Sequence, residues 1–206
     1  MPQIKNWVLK SEKVAIGCLL LIALFSIGSA LAFSQDSSKP ETIEATARGT
    51  ETQMGREFPV TMTIYEYSTP AEKQILVQAF QDGKDQGLFN ALSKMKAVGH
   101  IAVTGTLGYD VSYIQVIPTP NGRKIRFVTN RLLRFGEVYR DGRSTSYNLT
   151  AGEIDINDED KAKSTGTFCP EAELTIDKQG ELQYNLVGFP WQLVGNIDWK
   201  GTPGAN

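Results

Sequence analysis

This chain has little of the chemistry that usually marks a catalyst: one histidine and two cysteines in 206 residues. His100 cannot build a metal cluster by itself, and neither a cysteine pair nor a His-x-x-x-His spacing occurs. A Gly-x-Ser-x-Gly elbow, a Walker loop and a dinucleotide fingerprint are also missing. No cofactor, no metal site and no catalytic residue is therefore expected. Positive charge is not in excess, with 21 basic against 23 acidic residues, and nucleic-acid binding wants a basic face. Disulfide support is equally scarce, so the fold has to be held by its core.

What is present begins at the N-terminus. Lys5, Lys10 and Lys13 precede an apolar run from Val14 to Ile27, followed by Ser29-Ala30-Leu31-Ala32. Positive charge, apolar core and an Ala-x-Ala site, in that order, predict an export signal over 1–32 cut after Ala32. The expected location is periplasmic or extracellular. The alternative is an uncut segment anchoring the same domain to the inner membrane, because Val14 to Phe33 is just long enough to span a bilayer. A lipoprotein reading of Cys18 fails, since only four residues separate it from Lys13. Removing Lys5, Lys10, Lys13 and Glu12 leaves 18 basic and 22 acidic residues, a net charge of −4. Cys169 is then the sole cysteine and reads as a small buried apolar residue.

The predicted organisation is a flexible polar leader over 33–42, one β-rich domain over 43–200 and a loose tail over 201–206. Strand-type alternation covers about 43–49 and then Phe58, Val60, Met62 and Ile64. Thr69-Pro70-Ala71-Glu72 carries a helix-start signature, and Asp82-Gly83 a stop. A second short helix from about Asp85 presents Leu88, Phe89, Leu92 and Met95, making a helical hairpin at about 70–95. Strands resume at His100–Thr104 and Tyr109–Ile117. Asn121-Gly122 then marks a hairpin into Lys124–Thr129. Further strands are expected near 135–139 and 146–156. A last hairpin pairs 172–177 with 181–187, and Trp191 and Trp199 pack against the sheet. The fold class is α+β, mainly antiparallel: a meander curled into a barrel or folded as a sandwich.

Three features are candidates for binding or chemistry. Arg123, Lys124, Arg126, Arg131, Arg134, Arg140 and Arg143 fall within 21 residues, and arginine suits capture of carboxylate or phosphate. Lys124, Arg126, Arg131 and Arg134 are the residues an anionic ligand would meet, although charged outer faces also simply keep hairpins soluble. The acidic run Asp155, Asn157, Asp158, Glu159, Asp160 opens like a calcium loop. It has Asp160 at position six, where glycine is needed, and Gly166 at position twelve, where glutamate is needed, so it reads as a solvated loop. His100 lies on the strand face opposite Ile101 and Val103, a rim position rather than a catalytic one.

The run Ala97-Val98-Gly99-His100 through Thr104-Gly105-Thr106-Leu107-Gly108-Tyr109-Asp110, with Arg126 to Asn130 and Phe135-Gly136-Glu137, resembles a group of uncharacterised secreted bacterial proteins. The resemblance covers most of the domain and implies a bacterial, extracytoplasmic setting. The group has no known activity, so it transfers no functional residue. The expected role is non-catalytic binding of a small apolar or anionic ligand or of an envelope protein. An envelope-assembly component comes second, and a carboxylate-dependent hydrolase using groups such as His100, Asp110 and Glu153 third. Membrane contact is expected only through an uncut signal segment.

Overall fold

Alternating apolar residues set the architecture, because each strand has one face that must leave water. The computed structural model describes residues 39–50, 54–129, 149–170, 172–185 and 190–201, except the side chains of 185 and 196. The strands are β1 (Glu41–Gly49), β2 (Glu57–Ile64), β3 (Gly99–Val103), β4 (Tyr109–Thr119), β5 (Gly122–Thr129), β6 (Ala151–Asn157), β7 (Thr165–Cys169), β8 (Glu173–Ile176), β9 (Leu182–Asn185) and β10 (Trp191–Lys200). Of the two sheet arrangements open to the sequence, the barrel is the one formed. Strands β1 to β7 run as an antiparallel meander, and β10 inserts between β7 and β1 to close an eight-stranded barrel. Strands β8 and β9 form a separate two-stranded sheet.

An eight-stranded barrel has an interior about wide enough for side chains to fill or for one small ligand. Here it is filled. Ile43, Met62, Ile101, Ile114, Ile125, Phe127, Ile154, Phe168, Trp191 and Ile197 form one continuous buried cluster. A bulge on β4 between Val111 and Tyr113 changes the alternation, so Ile114 joins the interior while Tyr113 joins a second cluster. Three glycines report how tight the interior is. A Cβ on Gly152 would sit 2.5 Å from the Phe127 ring, one on Gly99 2.7 Å from Ile114 Cδ1, and one on Gly166 2.7 Å from Leu193 Cδ1. Phe168 and Trp191 stack with centroids 6.4 Å apart, and Phe58 approaches Trp191 at 5.5 Å.

Near the other end of β1 the core turns polar. Glu41, only 1% exposed, accepts hydrogen bonds from Arg123 and from the Tyr67 hydroxyl, the latter at 3.0 Å. Burial, and then the Glu41 charge beside it, raise the Tyr67 phenol well above its ordinary range. Strand β1 therefore starts inside the stretch expected as leader: Glu41 is ordered by Arg123 and Tyr67 before the apolar alternation begins.

A second layer covers part of the barrel's outside. Helix α1 (Pro70–Leu92) starts at a full capping box: Thr69 Oγ1 accepts from the Glu72 backbone N–H, and the Glu72 carboxylate accepts from the Thr69 N–H at 2.6 Å. The helix breaks at Lys84 (φ 48°, ψ −137°) and folds back, so the expected helical hairpin is present. The break falls at Lys84 and not at Gly83. The return half then passes so near the first that a Cβ on Gly87 would overlap the Ala79 carbonyl oxygen. Leu76, Leu88 and Leu92 of α1, Leu174 of β8 and Leu182 of β9 pack with Tyr113, Val128, Ala151 and Cys169 of the barrel wall. No helix among the described residues is long and apolar enough to cross a membrane.

Two strands went unrecognised in the sequence. β7 follows a single helical turn over Lys161–Lys163, and its core-side positions are Gly166 and Phe168, too short an apolar pattern to register. The segment from Trp191 to Trp199 is more than a cover for the sheet: it is β10, the strand that closes the barrel. The strand expected near 135–139 lies outside the described residues.

Candidate functional site

The cations singled out in the sequence sit where alternation puts them. Lys124 and Arg126 lie on the outer face of β5, beside Glu153 and Asp155 of β6 in the β5–β6 register. Lys124 donates to Glu153 and lies 3.3 Å from Asp155, while Arg126 Nε donates to Glu153 at 2.7 Å. Burial pushes the Glu153 carboxyl upward, but the hydrogen bonds from Lys124 and Arg126 win and hold it below the ordinary carboxylate value. Two cations and two carboxylates thus neutralise one another on this face. Arg131 and Arg134 lie outside the described residues.

His100 has both ring nitrogens engaged. Nε2 lies 2.9 Å from the Leu107 carbonyl oxygen and Nδ1 3.3 Å from Asp110 Oδ1. A general base needs one ring nitrogen open toward substrate, and here the pair fastens the β3–β4 turn instead. Gly108, at φ 69°, is required beside it, since a Cβ there would overlap His100 Nε2. Glu153 lies on β6, three strands from β3, and is held by Lys124 and Arg126, so His100, Asp110 and Glu153 do not converge.

The acidic run closes a turn. Asn157 Oδ1 accepts from the backbone N–H groups of Glu159 and Asp160, and Asp160 Oδ1 accepts from that of Ala162. Asp155 faces Lys124, and Asp158 lies 3.4 Å from Arg123. Cys169 is buried in the outer cluster, as its reading as a small apolar residue expects.

The feature that sequence reasoning missed is the seam between the barrel wall and the β8–β9 hairpin. Among the described residues four side chains carry a buried polar atom with no partner: Ser112 Oγ, Gln115 Oε1, Arg123 Nε and Tyr184 Oη. Arg123 belongs to the Glu41 cluster. The other three belong to the seam's own elements. Ser112 sits at the β4 bulge and Gln115 lies opposite Arg126 in the β4–β5 register. The Arg126 guanidinium lies over the Tyr184 ring at 5.5 Å from its centroid, and Tyr184 lies on β9. Buried polar atoms in native proteins are nearly always satisfied, so these orphans on β4 and β9 need an explanation.

The seam's electrostatics follow from its neighbours. Burial, with a smaller contribution from Tyr113, raises the Tyr184 phenol far above its ordinary range. Burial, then Glu181 and Glu72, push Tyr113 up to about 12. Both phenols therefore keep their protons near neutral pH. Lys73 of α1 pairs with Glu181 at the start of the β9 arm, tying helix to hairpin. Burial, then the nearby Glu173 charge, raise the Asp85 carboxyl, although Asp85 is exposed. Searches among protein-family models, curated proteins and solved structures find no match for this chain.

Proposed function

We propose that this protein is a non-catalytic binding domain that works outside the cytoplasm and takes its ligand at the seam between the barrel wall and the β8–β9 hairpin. The observation that carries this reading is the placement of Ser112 Oγ, Gln115 Oε1 and Tyr184 Oη, buried and unpartnered on the elements that meet there. The described barrel interior argues the other way for itself: it is packed with its own side chains, and Gly99, Gly152 and Gly166 leave no room to spare. The export signal supports the location, as does the resemblance to secreted bacterial proteins. Catalysis has less in its favour, because His100 is engaged on both nitrogens and Glu153 is neutralised.

The test is native mass spectrometry of the protein isolated from envelope and from cytosol of its own cells. A processed chain in the envelope carrying a stoichiometric small adduct is the expected result. A chain found in the cytosol with residues 1–32 attached, or consistently adduct-free in the envelope, would defeat the proposal.

A second reading, docking of an envelope protein, rests on helix α1. Ala71, Ile75 and Ala79 line an open groove, and Ile75 is exposed. In that case Ile75→Asp would leave the fold intact and abolish a stoichiometric complex seen by chemical cross-linking in the envelope.

A further inference from the structure

We infer that His100 is a pH-sensitive clasp on the β3–β4 turn, closed when its imidazole gains a second proton. Protons and acceptors around the neutral ring do not balance. Nε2 lies 2.9 Å from the Leu107 carbonyl oxygen, which can only accept, so that nitrogen carries a proton. His100 and Asp110 are direct partners in the β3–β4 register, and Nδ1 lies 3.3 Å from Asp110 Oδ1. In the neutral ring Nδ1 turns a lone pair toward a carboxylate that offers only lone pairs in return. The doubly protonated ring donates on both sides. Acid therefore fastens the turn, and alkali loosens one of its two ties.

Among the described residues, Asp110 is the one charged group within bonding distance of the ring. The turn itself, 104–108, contains no charged residue. β2 places Thr63 opposite His100, and β1 places Thr42 opposite Thr63. Glu44, on the same outer face of β1, lies opposite Thr61. Along the connection into β3, Lys96 and Glu66 pair with each other at 2.6 Å. The His100 side chain is 31% exposed, so protons reach it without unfolding. Its ring fits only because position 108 is glycine, where a Cβ would lie 2.4 Å from Nε2. What the clasp positions is Leu107, 97% exposed at the tip, through its own carbonyl. The Thr106 N–H closes the same turn on the Val103 carbonyl oxygen at 3.0 Å.

His100 is the chain's only histidine, so its ring signals in NMR spectra of the purified protein are unambiguous. Between pH 8 and pH 5 an imidazole gains its second proton while carboxylates stay largely ionised. The expected result is a ring protonated at Nε2 alone at pH 8 and at both nitrogens at pH 5, read from the ring nitrogen shifts. Over the same step the Thr106 amide, corrected for intrinsic exchange, gains protection by at least about threefold, the scale of one exposed ion pair. The Gly180 amide, bonded to the Asp177 carbonyl at 3.1 Å in a turn without histidine, stays level. Such a step is worth only about 2 °C in the melting of a domain this size, so the readout is local. Asp110→Asn abolishes the dependence, because its amide N–H donates to a neutral Nδ1 at pH 8 and its oxygen accepts from the protonated ring at pH 5. Three results would each overturn the clasp: equal Thr106 protection in the parent at both pH values, an undiminished step in Asp110→Asn, or a ring protonated at Nδ1 alone at pH 8.

Discussion

Gly152 shows how much of this fold is decided one atom at a time. The barrel wall passes so near Phe127 and Phe168 that a methyl group at this position would meet their carbons at 2.5 and 2.7 Å. Gly152→Ala is expected to lower stability by about 1–3 kcal/mol, the usual cost of overpacking a filled core, measured by urea denaturation. Glu41 presents the opposite case, a charge that must not lose its partner. Glu41→Gln leaves Arg123 facing a neutral amide and is expected to cost about 3 kcal/mol, the low end for breaking a buried pair because the Arg123 side chain is 24% exposed. The same denaturation experiment reads it, and a loss below about 0.5 kcal/mol, the level of an ordinary surface change, would show that this pair contributes little.

Among the elements, α1 offers a clean separation between local and global effects. Lys84 holds a backbone conformation close to the first central position of a type II′ turn, which suits glycine. Lys84→Gly relieves strain but gives up the lysine over the Phe80 ring and adds unfolded-state freedom, for a net gain of up to about 1 kcal/mol. Gly87→Ala acts in the other direction by prising the return half away from Ala79. Hydrogen exchange is expected to accelerate across 70–92 with the barrel strands unchanged. The hairpins and most barrel strands were legible because each alternates cleanly and is bounded by turn residues such as Asn121-Gly122. β7 hid because glycine occupies one of its core-side positions. β10 hid because Gly195, at φ 80°, interrupts the series Trp191, Leu193, Ile197 and Trp199 near the register shift opposite Glu44 and Thr46. The seam gave two signals in the sequence: Ser112 and Gln115, polar residues in the otherwise apolar run Val111 to Ile117. Nothing in the primary pattern says that Tyr184 comes to lie against Arg126, the residue opposite Gln115, since that depends on where the β8–β9 excursion lands. The cationic stretch was legible as an outer face, whereas the carboxylates that neutralise Lys124 and Arg126 come from a strand almost thirty residues later.

For the whole molecule, acid is the condition that should discriminate most sharply. Backbone N–H donation, that of Glu181 first, holds Asp177 below the ordinary carboxylate value, and the Lys161 hydrogen bond does the same for Asp198. Glu153 is lowered by Lys124 and Arg126 against the opposing effect of burial. A carboxyl with a depressed folded-state pKa stabilises the protein fully above its unfolded value and loses that contribution as pH falls through the folded one. Thermal stability is therefore expected to be level above about pH 5 and to decline as pH drops through and below the ordinary carboxylate range near 4. Asp85, raised by burial and Glu173, works against the trend and softens its onset. A melting temperature that rises steadily from pH 6 to pH 3 would contradict this account. Sodium chloride should flatten the curve where Asp177 and Asp198 are concerned, because both lie at the surface.

The pairing of Thr42 with Lys200 and of Gly49 with Trp191 sets a timetable. Seven strands of the wall can zip together in the order they leave the ribosome, yet the cylinder stays unlocked, with two raw margins, until its eighth stave is delivered after the β8–β9 detour. Until that stave arrives, both margins stay open to pairing with another chain, a hazard that the closed cylinder removes.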